Sequence, residues 1–527
     1  MKQTMKHQSL LSGIKSLGIM LSLGLALASC TKDDVAQNPA TPNEEENKNL
    51  TTFVAGGENK TRTSMDYNSG DFYWEAGDYI YVKDDDGVLQ KSTNAPDQKV
   101  ASFNYKVPGK FTASSSYKIY YFGKNSSNNQ VVIPSAQSQS TPNNTEHFGV
   151  SGDYGTATAK KVTGKNQFVF ELEHQAVYLV FHPYVSNTLL QNCYLTKIEV
   201  SSDNDIASTY TLSASTGTLQ SVNTGAEADK EIILSTKGSG TYANGFPLNT
   251  ASDNVAVNGA YMVIKPGTHT LKVRYWLKDV STGIEGTVTK AFKAFNYDVN
   301  NYYDIDGNLN IRDYDGDHYY MWDAKEQYWK GHEWWSANKD QPVLNGNDNG
   351  NDPKDNNDSR WYNEGSGSSL NATQSCATLP NVNEMTWYAA YGEPRWDADE
   401  LWTTMGHLYK GGMWFKKKAV LQGEGHYNSN TAADGTDWRA TTARAEQTWP
   451  VSPSLPSAAD AGNYFYLPAL GTYAYGGLNY VGDEGVYWSS SASLWNSGSA
   501  YVLDFYSDGI DVGVYGCDAG YRVGGFE

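Results

Sequence analysis

The sequence predicts a mainly β protein in which two tandem β-sandwiches are followed by a third domain of α+β type. Residues 51–310 consist of short runs of alternating, β-branched or aromatic residues broken by Gly, Asn, Asp and Ser, which is the pattern of strands and turns. Residues 337–359 are Asn, Asp, Gly and Pro with almost nothing apolar, a composition typical of a linker. After residue 361, helix signals precede a further set of strand-like runs.

The first 29 residues predict a secretory signal peptide. Lys2, Lys6 and Lys15 supply its positive charge, and residues 17–27 form an apolar run closed by small residues. That run is well short of the roughly 20 residues that a membrane-spanning helix needs. We therefore expect residues 1–29 to be removed and not to remain as a transmembrane anchor.

The segment LASC at 27–30 resembles the lipobox of bacterial lipoproteins. The resemblance implies cleavage before Cys30, attachment of lipid such as palmitate to Cys30, and anchoring in the outer membrane. The acidic segment KDD at 32–34 is similar to the short export tag of Bacteroidetes surface lipoproteins, which implies surface exposure. The alternative is an ordinary secretory signal that ends in Ser-Cys. Residues 30–50 are polar without a period that could bury a face, so they predict a flexible tether.

Residues 51–312 predict the two sandwiches. Clear strand runs are found at 79–83, 117–122, 167–171 and 177–181. About 260 residues of such short strands are more than one sandwich uses. With a boundary near 159–165, the expected domains are 51–162 and 163–312.

An ordered set of segments in this region resembles fimbrillin-like proteins of the Bacteroidetes, the pilins of type V pili. The segments are TRT at 61–63, FYWEAGD at 72–78, YKIYYF at 117–122, IPSAQ at 133–137 and LEHQA at 172–176. The resemblance implies two transthyretin-like pilin domains. It also implies partner pilin subunits joined by strand exchange, in which a neighbour's extended segment replaces a first strand that a protease has removed.

In relatives the cut follows a basic residue near the start of the first domain. This makes Arg62 the candidate site for a trypsin-like or Arg-specific protease, with Lys60 close behind. Arg62 could equally be an ordinary solvent-facing strand residue.

Residues 313–360 predict a connector and linker between the second sandwich and the last domain. Its first part, 312–336, is crowded with Tyr and Trp, which indicates packing, with sugar binding as the alternative. Two runs of alternating acidic and amide residues could be calcium loops or solvated turns, and neither has the Glu that completes an EF-hand. These runs are Asp304, Asp306, Asn308 and Asn310, and then Asp313, Asp315 and Asp317.

In residues 361–527 the capping signals predict helices at 384–391 and 401–410, the second opened by the capping-box spacing of DADE at 397–400. Strand runs follow at 464–468, 487–491, 500–506 and 521–523. Trp488 is predicted to lie in the core. The three cysteines beyond Cys30 are too few and scattered for a disulfide scaffold or a zinc site. In an oxidising exterior Cys376 and Cys517 are the pair expected to form a disulfide.

Two helices before a looped sheet resemble the C-type lectin-like fold. The segments YFYLPA at 464–469, VYWSSS at 486–491, AYVLDF at 500–505 and GYRV at 520–523 resemble the major paralogous domain of Fibrobacter and Bacteroidetes surface proteins. Because EPR at 393–395 departs from the calcium-binding Glu-Pro-Asn of lectins, calcium-dependent sugar binding is not implied. As a hypothesis, the looped surface binds a sugar through Asp483, Glu484, Trp495 and Asn496.

Composition and motifs exclude several functions. A net charge of −19 without a basic cluster argues against nucleic acid as a partner. Formylglycine-generating enzymes share the lectin-like fold, but the reactive cysteine motif they need is missing from the sequence. The sequence has neither a nucleophile elbow nor a phosphate loop, and its His spacing does not build a metal site. We expect no catalysis, no cofactor and no metal.

The predicted function is therefore that of a surface lipoprotein precursor of a fimbrial tip subunit, which accepts a donor strand and adheres to glycan or protein on a host or bacterial surface. The tip is indicated because the chain's last strand is predicted to lie inside the third domain and cannot be donated. Two alternatives stay open: an anchored glycan-binding lipoprotein that captures nutrients without polymerising, and a purely structural surface spacer.

Overall fold

The computed structural model describes residues 6–9, 50–56, 64–67, 72–126, 129–213, 218–222, 226–344, 346–364 and 371–527. The protein is mainly β, as predicted, and its four α-helices in this part of the chain are short. They are α1 (Phe148–Ser151), α2 (Val255–Asn258), α3 (Val382–Tyr391) and α4 (Lys418–Gly423).

The first body of the fold is a single eight-stranded sheet that curls round its own core. The strands of the first third of the chain are β1 (Lys6–Ser9), β2 (Leu50–Ala55), β3 (Ser64–Met65), β4 (Phe72–Tyr73), β5 (Tyr81–Lys83), β6 (Leu89–Lys91), β7 (Phe103–Pro108), β8 (Ser116–Tyr121), β9 (Gln130–Ile133), β10 (Ala136–Ser138), β11 (Gly155–Lys161), β12 (Gln167–Phe170) and β13 (Glu173–His174). The sheet order is β6-β5-β8-β11-β12-β2-β7, and β13 pairs with β11. The Thr93 N–H donates to the Lys106 carbonyl (2.8 Å), which draws the two ends of the sheet together.

The second body is a sandwich of two sheets. Its remaining strands are β14 (Val177–Tyr184), β15 (Cys193–Ser202), β16 (Ser208–Leu212), β17 (Leu219–Ser221), β18 (Glu231–Ser235), β19 (Phe246–Pro247), β20 (Ala260–Ile264), β21 (Gly267–His269), β22 (Leu271–Asp279), β23 (Glu285–Ala291), β24 (Phe295–Tyr297) and β25 (Asn301–Asn308). One sheet has the order β1-β25-β14-β20, and the other begins β10-β18-β15-β22-β23. Apolar side chains of β14, β20, β15 and β22 fill the core between them.

The two bodies do not meet at a clean sequence boundary. Strands β12 and β13 follow the expected boundary at 162 but pair in the first sheet, whereas β9 and β10 precede it and pair with β16 and β18 of the second body. Lys6–Ser9, which lie in the predicted signal peptide, pair antiparallel with β25 at Asn301–Asp304. The rest of the predicted signal peptide lies outside the described residues.

The third body contains the remaining strands. They are β26 (Tyr319–Tyr320), β27 (Arg395–Thr404), β28 (His407–Lys416), β29 (Gln447–Pro450), β30 (Tyr464–Pro468), β31 (Thr472–Ala474), β32 (Gly477–Asn479), β33 (Gly485–Ala492), β34 (Ser499–Tyr506), β35 (Gly509–Gly516) and β36 (Tyr521–Arg522). Six form the sheet β26-β36-β33-β34-β35-β29. The predicted helix at 384–391 is present as α3, whose Asn381 cap and Glu384 form a capping box. Trp488 is fully buried, as predicted.

The predicted helix at 401–410 is wrong, because these residues form a β-hairpin. Strands β27 and β28 pair from Thr404 opposite His407, so Met405 and Gly406 alone make the turn. Both turn residues have positive φ, 48° and 76°, as a type I′ hairpin turn requires. The acidic residues that suggested a capping box have other partners: Asp397 bonds Arg274, and Glu400 accepts from Thr289.

Residues 313–360 are part of the third body and do not form a free connector. Tyr319, Tyr328 and Trp329 lie in its main core, which confirms that these aromatics pack. Within the expected linker, the Gln341 amide donates to the Gly316 carbonyl (2.8 Å). Although most of the polar run is exposed, this bond and the buried Gln341 hold it against the third body.

One sheet runs continuously from the second body into the third. Strand β23 pairs with β27 in parallel, with Thr287 opposite Glu400, and the order continues β27-β28-β30. The edge of the second sandwich is thereby covered by the third body. Among the described residues, no helix is long and apolar enough to span a membrane.

Candidate functional site

Strand β2 is an interior strand of the first sheet, although it is the first strand of that sheet in the sequence. It pairs in parallel with β12, Phe53 opposite Phe168, and antiparallel with β7, Phe53 opposite Tyr105. Both of its edges are therefore hydrogen-bonded. Removing it would leave a gap between β12 and β7, with unpaired backbone on both sides.

The side chains of β2 alternate between the core and the surface. Thr51, Phe53 and Ala55 are buried, and the residues between them are half-buried. The Phe53 ring stacks on Phe168 at 5.1 Å and meets Phe111 edge-to-face at 5.1 Å. Phe53 is thus the main apolar anchor of the strand, and its slot is lined by aromatic rings.

The chain leaves the sheet immediately after β2. The Ser102 hydroxyl donates to the Ala55 carbonyl (2.8 Å). Gly56 then takes a φ of 127°, where a side chain would collide with Ser102. The two predicted protease sites, Lys60 and Arg62, follow within seven residues of Ala55 and lie outside the described residues, as does the predicted lipidation site Cys30.

The last residues of the chain are held inside the third body. Strand β36 pairs with β26 and contacts β33, and Tyr521 and Arg522 are buried. The Phe526 ring lies 5.4 Å from Tyr388, and the Lys418 N–H donates to the Glu527 carbonyl (2.8 Å). These residues are part of a packed domain.

The structure does not bring the four predicted sugar-binding residues together. Asp483 and Glu484 precede β33, whereas Trp495 and Asn496 follow it. Eight strand residues separate the two pairs by about 26 Å at the usual rise. The four residues therefore form two pairs at opposite ends of β33, and their role in sugar binding stays a prediction.

Glu484 lies in an acidic cluster with Asp504. Burial and the negative charge of Glu484 raise the pKa of Asp504 to about 7, and the Tyr515 hydroxyl donates to Asp504 Oδ2 (2.7 Å). Burial likewise raises the pKa of Glu484. We therefore expect the two carboxyl groups to share a proton with each other and not to bind a ligand.

Trp495 and Asn496 form an exposed turn. The Asn496 side-chain oxygen accepts from the Gly498 N–H (3.1 Å), and the Trp495 ring is 49% exposed with the Arg444 guanidinium 5.8 Å from its centre. Asp483 is also exposed. These three residues are accessible at the surface.

Cys376 and Cys517 are free thiols in the structure, so the predicted disulfide is not formed there. Both are buried in one small apolar cluster. The Asp323 N–H donates to Cys376 Sγ (3.3 Å), and burial raises the pKa of Cys376 to about 12. The thiols are thus neutral groups in a packed core.

One residue of each acidic run bonds to side chains far away in the sequence. Asp304 accepts from Tyr67 and contacts His182, and Asp313 accepts from the Thr403 hydroxyl (2.8 Å). Across the described residues, no group of three or more His, Cys, Asp or Glu side chains is placed to hold a metal ion.

A buried polar interface between the second and third bodies was missed by the sequence analysis. Arg274 Nη2 bonds both Asp397 oxygens (2.9 and 3.1 Å), and both side chains are more than nine-tenths buried. Glu400 accepts from Thr287 and Thr289, while burial and the Asp397 charge raise its pKa. The only signal in the sequence was the DADE segment, whose spacing suggested a helix cap.

Comparisons with known proteins give structural likeness alone. No protein-family model matches the chain, and none of the curated proteins matches it. A solved "putative cell adhesion protein" from Bacteroides ovatus is 12% identical, covers 47% of this chain and 89% of its own, and has a TM-score of 0.28. Another from Bacteroides uniformis is 19% identical, with 46% and 88% covered and a TM-score of 0.25. A fimbrial assembly protein from Parabacteroides distasonis is 11% identical, with 48% and 89% covered and a TM-score of 0.24.

Proposed function

We propose that the chain is the precursor of a surface fimbrial adhesin that loses strand β2 and accepts a neighbour's strand in its place. The observation that carries the proposal is the position of β2. It is an interior strand paired on both edges, and the segment that contains Lys60 and Arg62 follows it directly and leads on to the rest of the fold. A single cut there would free a strand held by two neighbours and one aromatic slot.

The remaining steps of the proposal follow from the resemblance to fimbrillin-like pilins. Lipidation at Cys30 would hold the precursor on the outer membrane, an Arg-specific protease would cut after Arg62, and another pilin would donate a strand. Cleavage before Cys30 would also remove β1 and leave the outer edge of β25 unpaired at Asn301–Asp304. Unpaired edges favour strand addition.

A tip position is supported by the packing of residues 521–527 in the third body. Because Tyr521, Arg522 and Phe526 are packed in the third body, these residues are not available as a donor strand. The chain can accept a strand in its first body without offering these residues to a neighbour. In this proposal the lectin-like third body, outermost on the fimbrium, contacts glycan or protein on another surface.

The proposal is tested with variants of the predicted cut. Replacing Lys60 and Arg62 by Ala together should leave the full lipidated chain on the membrane and remove it from sheared filaments. The matched control is Lys48→Ala, which removes a basic residue before β2, where a cut would not free the strand. Immunoblotting of membrane and filament fractions is the measurement.

Loss of the protein from filaments in the double variant, with Lys48→Ala unchanged, is the expected result. If the double variant enters filaments as readily as the natural chain, strand removal at this site is refuted. Finding the natural chain and the double variant in the membrane fraction alone would favour the anchored, nutrient-capturing lipoprotein.

A further inference from the structure

A cleft lies where the second and third bodies meet, next to the buried Arg274–Asp397 pair. Strand β22 supplies one wall, β27 and β28 supply another, and the segment around residues 455–462 closes the end. Its volume is about 320 Å³. That is at the lower end of the roughly 300–1,000 Å³ of small-molecule sites, a size suited to a single sugar unit.

The cleft is positively charged although the whole chain carries −19. Lys272, Arg274 and Lys417 line it, against the single carboxylate of Asp397. That carboxylate is already occupied by the Arg274 guanidinium and by the Trp414 indole N–H (3.1 Å). The Lys272 ammonium donates to the Pro456 carbonyl (2.8 Å), and the Lys417 ammonium lies 3.9 Å from a Glu527 carboxylate oxygen.

Lys272 and Arg274 are two residues apart on β22, so their side chains leave the same face of the strand. Arg274 is 7% exposed, and only its Nη2 donates to neighbouring groups. Its buried Nε has no hydrogen-bond partner within the described part of the chain. An incompletely bonded guanidinium is unusual in a folded protein, because a buried donor without an acceptor costs free energy. Guanidinium groups bind carboxylates well.

An aromatic wall completes the cleft. The half-buried Trp414 ring lines it, with its indole N–H fixed on Asp397 and its ring centre 5.0 Å from that of Tyr466. Tyr464 lies at the same wall, with its hydroxyl on Glu393 (2.9 Å). Indole and phenol rings present apolar faces on which the apolar face of a sugar ring can stack.

We propose that this cleft binds an acidic monosaccharide unit of the uronic acid class. The carboxylate of the sugar would lie between Arg274, Lys272 and Lys417, and its ring would pack on Trp414. A neutral sugar would leave Lys272 without a carboxylate partner and the Arg274 Nε without an acceptor, and a simple anion would leave the aromatic wall unused. The inference rests on the adhesion role proposed above and names its ligand class, and it does not depend on strand exchange.

The test is calorimetric titration of the purified, unassembled mature chain with D-glucuronate, and with D-glucose and acetate as matched neutral and anionic probes. We expect saturable binding of glucuronate, with a Kd at least about tenfold lower than that of either control. Lys417→Glu reverses a charge at the cleft without touching the Arg274–Asp397 pair. It should weaken glucuronate binding by about tenfold, since charge-assisted bonds to carboxylates are lost.

Lys165→Glu is the control, because it makes the same charge change at an exposed turn of the first body. Lys272→Gln is a second cleft variant, and equal thermal unfolding of all three variants shows that they are folded. Equal binding of glucose and glucuronate, equal binding of acetate, no saturable binding, or unchanged binding by both cleft variants would each refute the site. Because the chain is unassembled, such a failure leaves the strand-removal proposal untouched.

Discussion

The carboxyl group of Asp504 is buried with a hydrogen bond from Tyr515 and the charge of Glu484 beside it. A pKa raised from the ordinary value to about 7 means that the folded state favours the neutral acid. Its contribution to stability is therefore fully present below the unfolded pKa and is lost as pH rises through about 7. From the sequence, Glu484 was predicted to be an acceptor for a sugar. The sequence does not show that the fold places Asp504 beside it.

Replacing Asp504 by Asn keeps an acceptor for Tyr515 and removes the titration. Between about pH 5 and pH 8, titration of Asp504 should lower the unfolding free energy of the natural chain by up to about 1.4 kcal/mol per pH unit. The unfolding free energy of the variant should fall less over the same range. Urea unfolding at both pH values measures the difference. Asp508→Asn, at an exposed position, should retain the natural slope. An equal slope in Asp504→Asn and the natural chain would contradict the raised pKa.

At the scale of single elements, the sequence predicted strands better than it predicted helices. The run at 464–468 is strand β30 residue for residue, and 500–506 is β34 with one residue added. Alternation of buried side chains determines such strands locally. The hairpin of β27 and β28 was misread because Asp397 and Glu400 have the spacing of a cap, whereas their partners Arg274 and Thr289 are more than 100 residues away. A local sequence pattern gives no information about partners this far away in the chain.

Strand β2 is expected to be anchored mainly by Phe53. Phe53→Ala removes the ring that stacks on Phe168 and should lower the unfolding free energy of the first body by about 3–5 kcal/mol, the usual cost of a buried Phe. Thr52→Ala, on the half-buried face, should cost about 1 kcal/mol through its bond from Lys106. Chemical denaturation of both variants is the measurement. Similar losses in the two variants would mean that Phe53 does not anchor the strand.

At the scale of the whole molecule, the second and third bodies are joined by the pairing of β23 with β27 and by the buried Arg274–Asp397 pair. Composition predicted a flexible linker at 337–359, but a polar run indicates a linker only when its side chains face water. Here Gln341 and Asp352, within the run, are buried against the third body. The contact across β23 and β27 could not be predicted from sequence, because it depends on the register of Thr287 with Glu400.

Breaking this contact should uncouple the two bodies. Asp397→Ala leaves the Arg274 charge buried without its partner, which costs about 3–5 kcal/mol, and should split one unfolding transition into two. Asp399→Ala removes the more exposed pair with Lys410 and should cost at most about 1 kcal/mol. Differential scanning calorimetry distinguishes these outcomes. A single, barely shifted transition in Asp397→Ala would show that the pair does not join the bodies.

The proposed fimbrial role depends on the removal of strand β2 from the assembled protein. The most direct measurement is amino-terminal sequencing of the chain recovered from sheared surface filaments. A sequence that begins just after Arg62, or just after Lys60, is the predicted result, since β2 at Leu50–Ala55 would then be absent. A blocked, lipidated Cys30 on a chain found in the membrane fraction alone would contradict it.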